Sequence, residues 1–443
     1  MSVRWNLLKP HEWVGSFRHD AASSVLTGRL KYRPEDGVQL ECFAPFDKYK
    51  ETGDVLHGIL EDGEPCTIYA KVDMANAGFS FKRGSAIHRG TWGVRYCVLG
   101  NHFDPEDLFE GFEAEFNNFQ EFFFPKGHAD SIPWAGSPIV NVEHDDLTIQ
   151  IIQSGNFGFF GDRQVKALLH SQDAALKEEL SNAIDSVLQN HKDKMAFFRK
   201  DLRCVLRVKS TEGMALNRVT EVINSLRLLF SLVMYRSVTP TELFVIAKDE
   251  EGNNHSLPFF CGFGGLNSVT INRFMEDVEH WSLPFNNSSI DISQAISRWM
   301  DFSSGYELFA SKVANDDGWR SAYQTQTEFV LQLAQIEAIA NELNLPHSTR
   351  YSAAIESCSG TQVLNRIHSL LKINSDEEVG SRLSDIRAEI AHFTKKKKYL
   401  ASTNLFTICR LLDAVIAAHI FRRLGAEELQ IAEFIKKVLK LTY

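Results

Sequence analysis

Ser375-Asp-Glu-Glu-Val379-Gly-Ser-Arg-Leu383-Ser-Asp385-Ile386-Arg387-Ala-Glu389-Ile390-Ala-His392-Phe393 decides how the C-terminal third of this chain is read. Val379, Leu383, Ile386, Ile390 and Phe393 recur every three or four residues, the stripe of an amphipathic helix. Ser375 and Glu378 have capping-box spacing, in which each side chain can satisfy the other's free backbone N–H. The neighbours repeat the pattern. Phe329, Leu333, Ile336, Ala340 and Leu343 form a stripe that ends before Pro346, and Val363, Ile367, Leu370 and Leu371 mark a helix entered through Ser359-Gly360. Asn404 to Leu424 reads as an apolar core helix closed by Gly425, and a last amphipathic helix spans about residues 427–441. Four or five antiparallel helices with short loops predict an all-α bundle over 292–443.

Upstream the periodicity changes. Val25–Tyr32 and Val38–Phe43 flank a Pro34-Glu35-Asp36-Gly37 turn, a hairpin signature. Val55–Leu60 and Cys66–Val72 flank a second turn, Glu61 to Glu64, and Gly93–Leu99 is a further strand candidate. Residues 109–124 carry Phe109, Phe112, Phe116, Phe119, Phe122, Phe123 and Phe124, mostly three or four apart, which predicts an amphipathic segment packed on a sheet. Strands are expected at Leu147–Ile152, Cys204–Lys209 and Glu242–Ala247, with helices at 163–200 and Leu216–Tyr235. Cys261-Gly-Phe-Gly-Gly265 reads as a loop: no Lys-Ser/Thr follows it, and no preceding strand is evident. Trp281–Ser289 reads as a linker. The expected class is therefore α+β, with a β-rich domain over 1–150, a mixed α/β continuation over 151–291 and the bundle over 292–443.

Composition narrows the function. A 44% hydrophobic and 23% charged chain is that of a globular protein. The start lacks an apolar signal segment, and Arg410, Asp413 and His419 argue against a membrane span in the most apolar helix. Seven scattered cysteines without CxxC spacing suggest neither zinc nor disulfides, so a reducing cytoplasm is expected and no metal or cofactor is implied. His144-Asp145-Asp146 has metal-ligand chemistry, yet no second ligand cluster accompanies it, so a surface turn is expected. The net charge of −10 is uneven: residues 381–443 hold 12 Lys/Arg against 6 Asp/Glu. That asymmetry points the C-terminal end toward a polyanion, with Lys395, Lys396, Lys397 and Lys398 as the densest patch.

Arg387 and His392 bring a permanent cation and a titratable imidazole to the same helix. The spacing alone assigns nothing, because Arg followed closely by His also occurs at Arg4/His11, Arg83/His88, Arg95/His102, Arg163/His170 and Arg273/His280. Counting about 100° per residue, the two side chains lie about 140° apart, with a rise of about 7.5 Å. Either the helix loosens near His392, or two chains face each other across a two-fold axis and pool their motifs.

An Arg-x4-His motif on a late helix of a small bundle resembles the HEPN (higher eukaryotes and prokaryotes nucleotide-binding) superfamily, and Ile386-Arg-Ala-Glu-Ile-Ala-His392-Phe393 matches its local form. Leu333-Ala-Gln-Ile-Glu337-Ala is similar to the Glu-bearing first helix of the ApeA-like branch. Val55-Leu-His57-Gly58, Asp62-Gly63 and Thr67-Ile68 resemble the β-rich N-terminal domain of those anti-phage proteins. The resemblance implies a dimeric, metal-independent endoribonuclease in which Arg387 and His392 are catalytic and Asp385, Glu389 and Glu337 lend support. It implies RNA as partner (tRNA or other host or phage RNA), a phage-derived trigger sensed by the N-terminal region, and growth arrest or abortive infection as outcome. One departure stands out. The family often has a polar residue directly after the motif Arg, where this chain has Ala388, with Glu389 or Asp385 left to take that role. A non-catalytic HEPN module for dimerisation or RNA binding is the alternative.

Overall fold

The computed structural model describes residues 5–19, 25–45, 55–71, 78–82, 85–125, 132–155, 157–160, 170–191, 196–199, 202–249, 251–263, 278–315, 321–391, 399 and 404–441. Its N-terminal strands are β1 (His11–Arg18), β2 (Leu26–Arg33), β3 (Gly37–Pro45), β4 (Val55–Leu60), β5 (Pro65–Lys71), β6 (Gly78–Lys82) and β7 (Ser85–Leu99). The two predicted hairpins form as read, β2–β3 and β4–β5, each around its turn. Antiparallel pairing runs β3-β2-β1-β4-β5-β7, and β7 returns to β3 from Val38↔Val94 to Pro45↔Ile87, closing a six-stranded barrel. Alternation explains the wall: Leu26, Gly28, Leu30 and Tyr32 of β2 face inward between exposed or half-exposed neighbours. Phe17, Leu40, Leu56, Ile68 and Trp92 fill the interior.

β7 is long enough to serve two sheets. Its C-terminal half also pairs with β15 (Asn254–Cys261), from which a second antiparallel sheet continues through β14 (Pro240–Lys248), β8 (Phe109–Phe116), β13 (Arg203–Met214), β10 (Leu147–Ser154) and β9 (Val140–His144). The boundary expected at residue 150 falls inside β10, and this sheet takes strands from both sides of it. The phenylalanine-rich stretch divides into β8 and a short helix, α1 (Phe119–Phe123). Spacings of three and four had suggested one amphipathic segment; β8 breaks that period because its hydrogen bonds go to β13 and β14. Of the expected 163–200 helix, Ala174–Asn190 (α2) is helical, residues 163–169, 192–195 and 200 lie outside the described residues, and β12 (Ala196–Arg199) pairs with β11 (Phe157–Phe160). β15 supplies the strand that was not evident before Cys261; Gly264 and Gly265 lie outside the described residues.

α3 (Leu216–Met234) packs on the second sheet, where Phe230 meets Phe116, Phe119 and Phe122 with ring centroids 4.8–6.1 Å apart. It also carries the C-terminal bundle of α4 (Ile292–Phe302), α5 (Glu307–Ala314), α6 (Ala322–Glu342), α7 (Arg350–Ser359), α8 (Thr361–Leu371), α9 (Asp376–Ala391), α10 (Leu405–Leu424) and α11 (Glu428–Leu441). α3 touches α4 and α5, and Trp299 Nε1 donates to Ser225 O at 2.9 Å. Arg227 is buried within this contact, donating to Val238 O at 2.9 Å and to Asn315 Oδ1 at 2.8 Å. Burial lowers its guanidinium to about 10.

Residues 281–289 prove to be packed chain. Phe285 lies 4.6 Å from the Phe421 ring, Lys437 Nζ donates to Leu283 O at 2.9 Å, and Gln430 donates to Ser289 O. The Pro-Asn-Ser composition reflects tight turns stapled by Asn286, whose Oδ1 accepts from Ser288. α10 is the core helix expected, buried along nearly all its faces and ended by Gly425 at φ 100°, a left-handed position. A Cβ there would meet Gln294 Oε1 at 2.3 Å. Among the described residues no helix is long and apolar enough to cross a membrane, and all seven cysteines are buried.

Candidate functional site

α9 is held by α6, α7 and α8. Its buried residues are Val379, Leu383, Ile386 and Glu389, so the apolar stripe ends on a carboxylate while Ile390 is only half-buried. Glu389 is 5% exposed and accepts the Tyr399 N–H at 3.0 and 3.1 Å. Its charge is spent on the backbone that returns after the lysine run, and the Tyr399 ring is covered by Arg382 at 4.1 Å. Asp385 is exposed on the same helix. His392 and Lys395 to Lys398 lie outside the described residues. In sequence they fall between Ala391, the last residue of α9, and Tyr399, whose N–H Glu389 accepts.

Arg387 is 41% exposed at its side chain, and its Nη1 lies 3.6 Å from Oε1 of Glu337 on α6. The same oxygen accepts from Arg350 Nη2 at 2.8 Å and from the Tyr351 hydroxyl. Three donors from two helices thus converge on one carboxylate oxygen. The approach of α7 to α9 is set at Gly380, where a Cβ would stand 3.2 Å from the Tyr351 ring. Burial, with Glu337 as the second cause, pushes the Tyr351 phenol above its ordinary value and keeps it a donor. Arg350 lies over the Tyr351 ring at 5.1 Å, and its Nη1 is 3.4 Å from His347 Nε2.

Of the residues expected from sequence, Arg387 and Glu337 are brought together, Glu389 is turned inward, and Asp385 is left exposed. Sequence reasoning missed Arg350, Tyr351 and His347. A signal existed, because Tyr351, Ala354, Ile355 and Cys358 have helical apolar spacing, and all four are buried.

A second polar cluster lies elsewhere in the bundle. Asp413 on α10 accepts from Lys312 Nζ at 2.5 and 2.6 Å and from Gln332 Nε2 at 2.5 Å. In the N-terminal half, an open cavity of about 750 Å³ on the polar face of the second sheet is lined by Glu113, Glu115, Arg203 and Glu242 among others. His144-Asp145-Asp146 forms the β9–β10 turn, with Asp146 bound by Arg218 and Ser210. Among the described residues no group of three or more His, Cys, Asp or Glu could hold a metal ion.

The model of ApeA N-terminal domain 1 matches residues 12–299, spanning the barrel, the second sheet, α3 and most of α4. The Apea-like HEPN model matches residues 303–430, which include Glu337, Arg350 and Arg387. The chain belongs to the ApeA-like HEPN family. The two ApeA-like matches meet between 299 and 303, in the last turn of α4. No curated protein and no solved structure matches the chain. The span matched by the Apea-like HEPN model contains both members of the Arg387–Glu337 pair, on α9 and α6.

Proposed function

We propose that this ApeA-like protein is an anti-phage endoribonuclease whose HEPN bundle, residues 292–443, cuts RNA when the region before it, 1–291, responds to a phage-derived trigger. The observation that carries the reading is Arg387, a guanidinium paired with Glu337 yet 41% exposed at its side chain, in the Arg-x4-His spacing that resembles the family motif. In the proposed reaction a ribose 2′-hydroxyl attacks the adjacent phosphorus, and the 5′-oxygen leaves. Negative charge grows on the non-bridging oxygens, where a permanently protonated planar fork stabilises it. His392 serves proton transfer, as imidazole does near neutrality, and Lys395 to Lys398 add salt-sensitive backbone affinity. Two chains related by a two-fold axis would place their motifs face to face.

The test is incubation of the purified protein with total RNA in excess chelator, beside its Arg387→Ala and His392→Ala forms. Cleavage leaving 2′,3′-cyclic phosphate ends is expected, with Arg387→Ala slower by about 10²- to 10³-fold. DNA, which lacks the nucleophile, should resist. Equal cleavage by parent and variants refutes the assignment. A second reading, a non-catalytic RNA-binding or dimerisation module, draws on Ala388 and on Glu389, whose carboxylate is buried against Tyr399. No cleavage by the parent, with RNA binding lost on Lys395–Lys398 charge reversal, favours that reading.

A further inference from the structure

Cleavage by a 2′-hydroxyl requires one proton to be taken and another given. A second imidazole, that of His347, is linked to the Arg387–Glu337 pair through Arg350. His347 follows Pro346 in the loop between α6 and α7 and is exposed to solvent. Its Nε2 lies 3.4 Å from Arg350 Nη1, and Arg350 Nη2 reaches Glu337 Oε1 at 2.8 Å, the oxygen that also faces Arg387. One carboxylate therefore links two guanidiniums, leaving an excess of fixed positive charge where a phosphate could bind. A guanidinium only donates, so Nε2 of His347 accepts, and the imidazole presents the lone pair of a base.

We infer that His347 is the general base of the cleavage reaction, with Arg350 and Arg387 together holding the phosphate. The inference rests on the ribonuclease reading above. A phosphate oxygen accepting from Arg350 Nη1 would release Nε2 toward the 2′-hydroxyl. The 2′-oxygen then bonds to phosphorus and its proton passes to Nε2, while the bond to the 5′-oxygen breaks and that oxygen takes a proton from His392. Both imidazoles return to their starting forms by exchange with water.

The experiment compares the full-length protein with its His347→Ala, His347→Gln and His392→Ala forms on RNA and on uridine 3′-(4-nitrophenyl) phosphate. The nitrophenolate leaves without a proton, so loss of the general acid is tolerated on that substrate and loss of the base is not. Both His347 variants should be slower by about 10²-fold or more on both substrates, while His392→Ala is slow on RNA and recovers on the aryl ester. Unfolding midpoints should be unchanged, because His347 is exposed. A parental rate in His347→Ala overturns the inference, as does a parental rate in His347→Gln, since an amide cannot take the proton. Recovery of His347→Ala on the aryl ester would make it the acid and also overturns it. If the parent cleaves neither substrate, the ribonuclease reading fails and this inference falls with it; cleavage unaffected by His347 defeats the inference alone.

Discussion

Replacing Asp413 by Ala should be the most damaging single polar change in the bundle. The carboxylate is 4% exposed and holds Lys312 Nζ through both oxygens at 2.5 and 2.6 Å, together with Gln332 Nε2 at 2.5 Å. Removing it strands an ammonium whose side chain is only 20% exposed. Breaking a buried pair from one side typically costs about 3 to 5 kcal/mol, because the surviving charge stays desolvated. Two features pull the value to the low end. Glu328 lies 3.5 Å from the same Nζ and can take part of the charge, and Gln332 keeps its bond to Cys409 O at 3.0 Å. The expected loss is therefore about 3 kcal/mol for Asp413→Ala. In the double variant Asp413→Leu with Lys312→Met, both charges are gone and apolar volume replaces them, so stability should return to within about 1 kcal/mol of the parent. The assay is urea unfolding of the parent, Asp413→Ala, the singles Asp413→Leu and Lys312→Met, and their double, the last three forming a double-mutant cycle with the parent. A loss below about 1 kcal/mol in Asp413→Ala would refute the reasoning, since it would mean that Lys312 finds water or Glu328 at no cost.

Two further outcomes follow from the same structure. Phe285→Ala should cost about 3 to 5 kcal/mol, because the ring is fully buried against Phe421 and Phe434; a flexible linker residue would change the urea midpoint hardly at all. The Arg218 guanidinium, then the Ser210 hydroxyl, holds the Asp146 carboxyl below the ordinary carboxylate range. A lowered folded value means stability present above the unfolded carboxylate range and lost as pH falls through the folded one. The gap between parent and Asp146→Asn should therefore close on acidification, and a gap constant from neutral to acid pH would defeat the assignment.

The sequence by itself determined the elements whose partners are near in the chain. The two hairpins of the barrel were legible because strand alternation and turn chemistry are local, and α6, α8, α9, α10 and α11 were legible because each carries its own apolar stripe. The Arg387 motif and the Glu337 helix were legible as residue types. Tertiary structure decided the rest, for a common physical reason: a side chain's role depends on what packs against it from elsewhere. Phe109 to Phe116 became a strand because β13 and β14 supply its hydrogen bonds, overriding a helical spacing. Within the segment at 281–289, Leu283 and Phe285 became core because α10 and α11 cover them. Glu389, equal on paper to Glu337 as a support for Arg387, was turned inward to Tyr399, while Glu337 gathered Arg350, Tyr351 and Arg387 from two other helices onto one oxygen. Spacing along a helix fixes direction about its axis, but only the packing of α6, α7 and α9 brings those charges within reach of one another.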